Sequence, residues 1–125
     1  MKKTIFIIED EDMYRMFLES QLTNYETMSF PTAEDCLTEL IGNRPDAILI
    51  DYNLPGISGY EFFEKVQSKL PDTMLIIMSS MEDGQKVLDL VIKGVRNYVI
   101  KDEHIIPAIT MLLEEGKDYY EETGI

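Results

Sequence analysis

Asp51 follows the apolar run Ile48-Leu49-Ile50 and is itself followed by a Pro55-Gly56 turn. A buried strand that ends this way delivers one acid to the rim of a sheet. Parallel sheets bind ligands outside the carboxyl ends of their strands. Other apolar runs also end in polar groups. Thr4 to Ile8 ends in Glu9, Asp10, Glu11 and Asp12; Met74 to Met78 ends in Ser79 and Ser80; Asn97 to Ile100 ends in Lys101. Carboxylates gathered from such ends raise one another's pKa unless a cation sits among them. The donors are hard oxygens with no His or Cys beside them, which suits Mg²⁺ rather than zinc or copper. Lys101 adds a compact positive charge and Ser79 a hydroxyl donor. A metal, a lysine and a hydroxyl around one acid form a cradle for a phosphoryl group. The acid can then act as nucleophile and carry an aspartyl phosphate. Taken singly, each residue has an ordinary reading. Asp51 is a turn former, Glu9–Asp12 a solvated helix start, Ser79 a loop hydroxyl and Lys101 a surface lysine. Their joint arrival at strand ends favours chemistry.

Positioning them requires strands alternating with helices. Thr4 to Ile8 reads as a buried strand. The helix after it carries the stripe Tyr14, Phe17, Leu18, Leu22 and Tyr25, with Asp12 as its cap. Glu26 to Phe30 is a weak strand. Thr32 caps a helix that packs through Ala33, Cys36, Leu37, Leu40 and Ile41, stopped at Gly42 or Asn43. Ala47 to Ile50 is the third strand. The helix after the Leu54–Gly59 loop turns Phe62, Phe63 and Val66 inward. Met74 to Met78 is the fourth strand, and Gly84 to Lys93 a helix with Val87, Leu88, Leu90 and Val91, closed by Gly94. Asn97 to Ile100 is the fifth strand. A last helix runs from about Asp102 to Tyr119 through Ile105, Ile109, Leu112 and Leu113, its start displaced toward Ile106 by Pro107. Glu121 to Ile125 reads as a frayed tail. Strand–helix repeated five times implies an α/β fold, a doubly wound parallel sheet with helices on both faces.

The 125 residues fit one domain, spanning 1–125 with its core at about 3–119. With 45% hydrophobic and 28% charged residues the chain is expected to be globular rather than disordered. The net charge of -13 argues against direct nucleic-acid binding and against anionic membranes. The single Cys36 cannot form an internal disulfide, and its apolar helix position suits a small buried hydrophobe rather than a reactive thiol. The apolar run after Met1-Lys2-Lys3-Thr4 is too short for a signal peptide or a membrane span, so a cytoplasmic protein is expected.

The ordered motifs resemble the receiver domain of two-component response regulators over roughly Lys3 to Tyr119. Ile7-Ile8-Glu9-Asp10-Glu11 is similar to the acidic opening that binds Mg²⁺. Asp51-Tyr52-Asn53-Leu54-Pro55-Gly56-Ile57-Ser58-Gly59 is similar to the loop that begins with the phosphorylated aspartate. Met78-Ser79-Ser80 resembles the segment carrying the switch hydroxyl. Gly94-Val95-Arg96-Asn97-Tyr98-Val99-Ile100-Lys101 resembles the stretch that ends in the essential lysine. The resemblance implies a flavodoxin-like five-stranded sheet of order 2-1-3-4-5. It implies that Asp51 accepts phosphate from a histidine kinase or phosphotransfer protein. It places Mg²⁺ among Glu9, Asp10, Asp51 and the Asn53 backbone carbonyl, and Lys101, the Ser79 hydroxyl and the Ser80 amide on the phosphoryl oxygens. Tyr98 becomes the aromatic switch, although as a residue it also reads as strand core. The partner surface is the face of the fourth helix, fifth strand and fifth helix. There Leu88, Ile92, Ile106 and Met111 are candidate apolar contacts for a downstream protein, an output domain or a phosphorylation-dependent homodimer.

Three departures accompany the resemblance. Glu9 stands where Asp is commoner. Asp102 follows Lys101 where the family usually has a cis proline, so a trans bond and a different aim for Lys101 are expected. Asn53 and Met81 occupy positions that tune phosphate lifetime. The expected function is a phosphorylation-controlled switch, not an enzyme with a turned-over substrate, either stand-alone or cut from a longer regulator. Two alternatives are a receiver-like scaffold not controlled by phosphorylation and an aspartyl-phosphate hydrolase. The haloacid dehalogenase-like hydrolases place a second Asp where this chain has Asn53.

Overall fold

The computed structural model describes residues 1–80 and 84–124. Five short strands, β1 (Thr4–Ile8), β2 (Glu26–Phe30), β3 (Ala47–Asp51), β4 (Met74–Ser79) and β5 (Asn97–Ile100), alternate with α1 (Asp12–Gln21), α2 (Ala33–Glu39), α3 (Gly59–Val66), α4 (Gly84–Ile92) and α5 (Ile105–Glu115). A sixth helix, α6 (Tyr119–Thr123), follows. The strands form one parallel sheet in the order β2-β1-β3-β4-β5. That is the doubly wound, flavodoxin-like order implied by the resemblance. Register pairs Ile8 with both Phe30 and Ile50, Asp51 with Met78, and Ser79 with Ile100. The carboxyl ends of β1, β3, β4 and β5 therefore share one rim.

Alternating side chains send each strand to both faces of the sheet. Phe6, Ile8, Ile48, Ile50 and Ile77 meet Ala33 and Cys36 of α2, Phe62, Phe63 and Val66 of α3, and Leu90 of α4. Ile5, Ile7, Leu49, Ile76, Met78 and Val99 meet Leu18 of α1 and the Ile105–Leu113 side of α5. All these residues are buried, so the strands read as continuous apolar runs, as a sheet covered on both faces requires. The Thr32 hydroxyl caps α2 by accepting the Asp35 N–H at 3.1 Å. Ser58 and Glu61 form a reciprocal capping box at the start of α3.

Several local expectations are corrected. Asp12 does not cap α1; it is the first helical residue and pairs with Arg15 at 2.5 Å. The inward stripe advances by fours through Tyr14, Leu18 and Leu22, which leaves Phe17 on its exposed flank. Ile41 lies beyond the end of α2 and is 87% exposed instead of packed. On α4, Val91 is exposed, as is Leu88, which was expected as a candidate contact on the partner face; among the described side chains of this helix only Leu90 is buried. Val87, an apolar residue of this helix, falls outside the described side chains, and Met81 outside the described residues. The fifth helix starts at Ile105, which puts Pro107 third, where a helical N–H has no intrahelical partner to lose. It ends at Glu115, because Gly116 takes up the left-handed conformation at φ 66°. Tyr119 therefore belongs to a separate helix, and the expected frayed tail is largely that helix, capped by the Asp118 carboxylate.

Candidate functional site

Four strand ends build the rim. Beyond β1, the Glu9 N–H still donates to the Phe30 carbonyl at 3.0 Å, which carries Glu9 inward before the chain turns into α1. Glu9 is 1% exposed, whereas Asp10 next to it is exposed. The Glu9 Oε2 accepts the Glu11 N–H at 3.1 Å. Arg15 returns from α1 to donate to the Glu9 carbonyl at 2.6 Å. The turn into α1 is thus tied from both sides.

Asp51 closes β3 and is 4% exposed. Its Oδ1 accepts the Asn53 N–H at 3.3 Å, a local turn bond. The turn-former reading and the functional reading therefore describe the same side chain. Gly59 lets α3 begin directly beneath this loop. A Cβ there would collide with the Asp51 carbonyl oxygen and approach the Tyr52 Cα to 2.9 Å. Gly56 supplies the left-handed turn before it, with φ 69°.

Lys101 is aligned through its backbone, whose N–H donates to the Ser79 carbonyl at 2.8 Å. Its Nζ lies 2.6 Å from Glu9 Oε1 and 3.1 Å from Asp51 Oδ1. Among the described residues no peptide bond is cis. Despite Asp102 in place of proline, Lys101 still points into the acid cluster. The different aim expected of it is not found.

One oxygen each from Glu9, Asp10 and Asp51 can be chosen so that all lie within 4.8 Å of one another. One lysine does not neutralise this group. Burial, opposed by Lys101 and reinforced by Glu9, pushes the Asp51 carboxyl up from 3.8 to about 7. Burial also pulls the Lys101 ammonium down, but the hydrogen bond to Glu9 and the charges of Asp51 and Glu9 outweigh it and hold the lysine above its ordinary range. The cluster keeps its ammonium and is short of positive charge. An all-oxygen donor set in that condition fits a hard divalent cation.

Ser79 is buried at the end of β4, and its hydroxyl donates to the Ser80 carbonyl at 3.3 Å. Tyr98 on β5 is half-buried. It packs partly on the α2–α4 layer and stacks on Tyr120 with ring centres 5.9 Å apart and planes 11° apart. The Asn53 side chain is exposed. Glu9, Asp10, Asp51 and Lys101 are thus brought together. Ser79 and Tyr98 stand nearby in β4 and β5, the first turned to Ser80 and the second to Tyr120.

Tyr14 belongs to the site although its sequence position reads only as helix stripe. The Lys101 ammonium lies 4.8 Å from the centre of its ring. Its hydroxyl is buried without a hydrogen-bond partner among the described residues. Burial, with Glu9 next, pushes that hydroxyl up to about 12, so it stays protonated. Tyr14 lies in the first turn of α1, and its tie to the site runs through Lys101 rather than through its own sequence neighbours.

The family model for the response regulator receiver domain matches residues 5–112. The chain is 32% identical to the transcriptional regulatory protein AfsQ1 of Streptomyces coelicolor over 78% of this chain and 44% of that protein. It is 30% identical to the response regulator ArlR of Staphylococcus aureus over 97% of this chain and 58% of that protein. The chain spans about half the length of these curated relatives. Among solved structures, the response regulator DrrB of Thermotoga maritima superposes with a TM-score of 0.82 at 24% identity, covering 94% of this chain and 55% of that one. The BeF3-activated DrrB receiver domain gives 0.79 at 24% identity over 92% of this chain and all of that one. These structural likenesses concern the fold.

Proposed function

The chain belongs to the response regulator receiver family, and from that premise we propose that it is a switch whose Asp51 accepts a phosphoryl group. The donor is a phosphohistidine on a sensor kinase or phosphotransfer protein. An Asp51 carboxylate oxygen forms the new bond to phosphorus as the phosphorus–nitrogen bond breaks, and the histidine leaves with its electron pair and takes up a proton. The observation that supports this reading best is the shared lysine. One ammonium already touches both Glu9 and Asp51, at 2.6 and 3.1 Å, so a phosphoryl oxygen arriving on Asp51 meets a positive charge in place.

Glu9, Asp10, Asp51 and the Asn53 carbonyl would hold Mg²⁺. When bound, the ion supplies the charge neutralisation that lets the buried carboxylate and an incoming phosphoryl group share one site. The Ser79 hydroxyl exchanges its Ser80 carbonyl partner for a phosphoryl oxygen, and the Ser80 amide donates to another. Withdrawal of Ser79 opens room into which Tyr98 turns. The surface this changes is the α4–β5–α5 face, where Leu88 and Ile92 are exposed and Ile106 and Met111 half-buried. A downstream protein, an output domain or a second copy reads it there. The length of AfsQ1 and ArlR, both regulators by name, supports an output domain as that reader. The setting is cytoplasmic, as is usual for the receiver family.

Incubation with Mg²⁺ and a small phosphodonor tests the reading by intact mass. One labile phosphoryl adduct is expected, lost in Asp51→Asn and in chelator. Failure of the wild type to take up phosphate would favour a scaffold. Steady turnover of the donor with no trapped adduct would favour a hydrolase.

A further inference from the structure

The α4–β5–α5 face is not bare in this chain, because α6 lies on part of it. Gly116 reverses the chain after α5, and the Asp118 carboxylate starts α6 by accepting the N–H groups of Tyr120 and Glu121 at 2.8 and 3.2 Å. Two consecutive tyrosines then anchor the short helix in different directions. The Tyr119 hydroxyl lies 3.1 Å from His104 Nδ1, at the start of α5. Tyr120 reaches β5. Alternate amides of an edge strand point to its neighbour and to the open side. The Lys101 N–H goes to Ser79 of β4, so the Ile100 N–H points outward, and the Tyr120 hydroxyl accepts it at 2.6 Å. The Tyr120 ring also stacks on Tyr98. One residue of α6 thereby holds both the open edge of β5 and the aromatic residue assigned to the switch.

We propose that α6 is an intramolecular brake: docked on β5 it holds Tyr98 against Tyr120, and it must give up that contact when Asp51 is phosphorylated. This rests on the reading of Tyr98 as the switch. Tyr98 cannot both turn in toward the space left by Ser79 and keep its ring nearly parallel to Tyr120 on the outer side. The two poses exclude each other, so docking of α6 and activation are linked with opposite sign. By linkage, whatever free energy the stack contributes is subtracted from the affinity for the phosphoryl group. An aromatic stack of ordinary strength corresponds to about a threefold to tenfold effect. A partner that needs the β5 edge must displace α6 as well.

The test uses the full chain with Mg²⁺ and beryllofluoride as the phosphoryl mimic. Amide hydrogen exchange reports on the Ile100 N–H and on α6, and titration gives the apparent affinity for the mimic. Addition of the mimic should speed exchange at Ile100 and through α6. Tyr120→Leu should raise the affinity about threefold to tenfold, since it removes the stack and the bond together. Tyr120→Phe keeps the ring, so it should speed exchange at Ile100 in the free protein with a smaller gain in affinity. If the mimic binds and leaves protection of Ile100 and α6 unchanged, or if Tyr120→Leu binds it no more tightly than wild type, the brake is refuted and the switch itself stands. If the wild type does not bind the mimic, the proposed function fails and the brake with it.

Discussion

Replacing Asp51 by Asn should stabilise the metal-free protein, and the gain should grow with pH. In the folded chain burial pushes the Asp51 carboxyl up to about 7 from its ordinary 3.8. A carboxyl raised in this way binds a proton that the unfolded chain has already released. Stability therefore falls as pH rises above the unfolded value, and the loss is complete once the folded value is passed. A tenfold change in proton affinity is worth about 1.4 kcal/mol, so full ionisation costs on the order of 4 kcal/mol, of which roughly 2–3 kcal/mol accrues between about pH 5 and about pH 8. Asp51→Asn keeps the oxygen that accepts the Asn53 N–H and removes the titration. Urea unfolding followed by far-UV circular dichroism, in chelator across that range, measures both proteins. The wild type should lose stability relative to the variant by that amount, the general repulsion of a chain of charge -13 being nearly common to both. Saturating Mg²⁺ should raise the wild type more than the variant and flatten its pH dependence. A difference between the two that is constant with pH in chelator would mean that Asp51 is ionised throughout the metal-free fold. The cluster would then not be short of positive charge, and the reasoning would fail.

Tyr14→Phe should be neutral or stabilising by about 1 kcal/mol, because it removes a buried hydroxyl that has no partner among the described residues and keeps the ring beside Lys101; thermal unfolding checks it, and a clear loss would reveal a hydrogen bond that the hydroxyl makes in solution. Gly59→Ala should cost about 2 kcal/mol in urea unfolding and slow the proposed phosphorylation of Asp51, since its methyl group collides with the Asp51 carbonyl; stability within about 0.5 kcal/mol of wild type would show that the loop yields freely.

The strand runs were legible because buried parallel strands are apolar on both faces, and the polar residue that ends each run marks the rim. Glu9, Asp51 and Lys101 are such residues, and in the fold the lysine lies within hydrogen-bond distance of both acids. Helical faces were less legible. Phe17 and Val91 are apolar at helical spacing yet exposed, and periodicity alone does not say which apolar residue faces inward. Tyr14 was visible as a stripe residue only, because its tie to Lys101 joins positions far apart in the chain. The helix that carries Tyr119 and Tyr120 was hidden for a similar reason. Gly116 and Asp118 are a stop and a start signal two residues apart, but the helix between Asp118 and Gly124 has no buried residue of its own to give it a period.

Asp51 lies in β3, which has neighbours on both sides in the sheet and helical layers above and below it. The acids of the β1 end lead into α1 on one layer, and the loop from Asp51 leads into α3 on the other. The rim thus connects to two core layers that share no side chains. Thermodynamic reciprocity makes the consequence run both ways. If Asp51 carries phosphate as proposed, a protein that binds the β5 side and prefers the phosphorylated form would raise the equilibrium occupancy of Asp51 by the same factor by which phosphate raises its own binding. The reader of the signal would thus help to set how fully the signal is held at equilibrium, without touching the acid proposed to carry it.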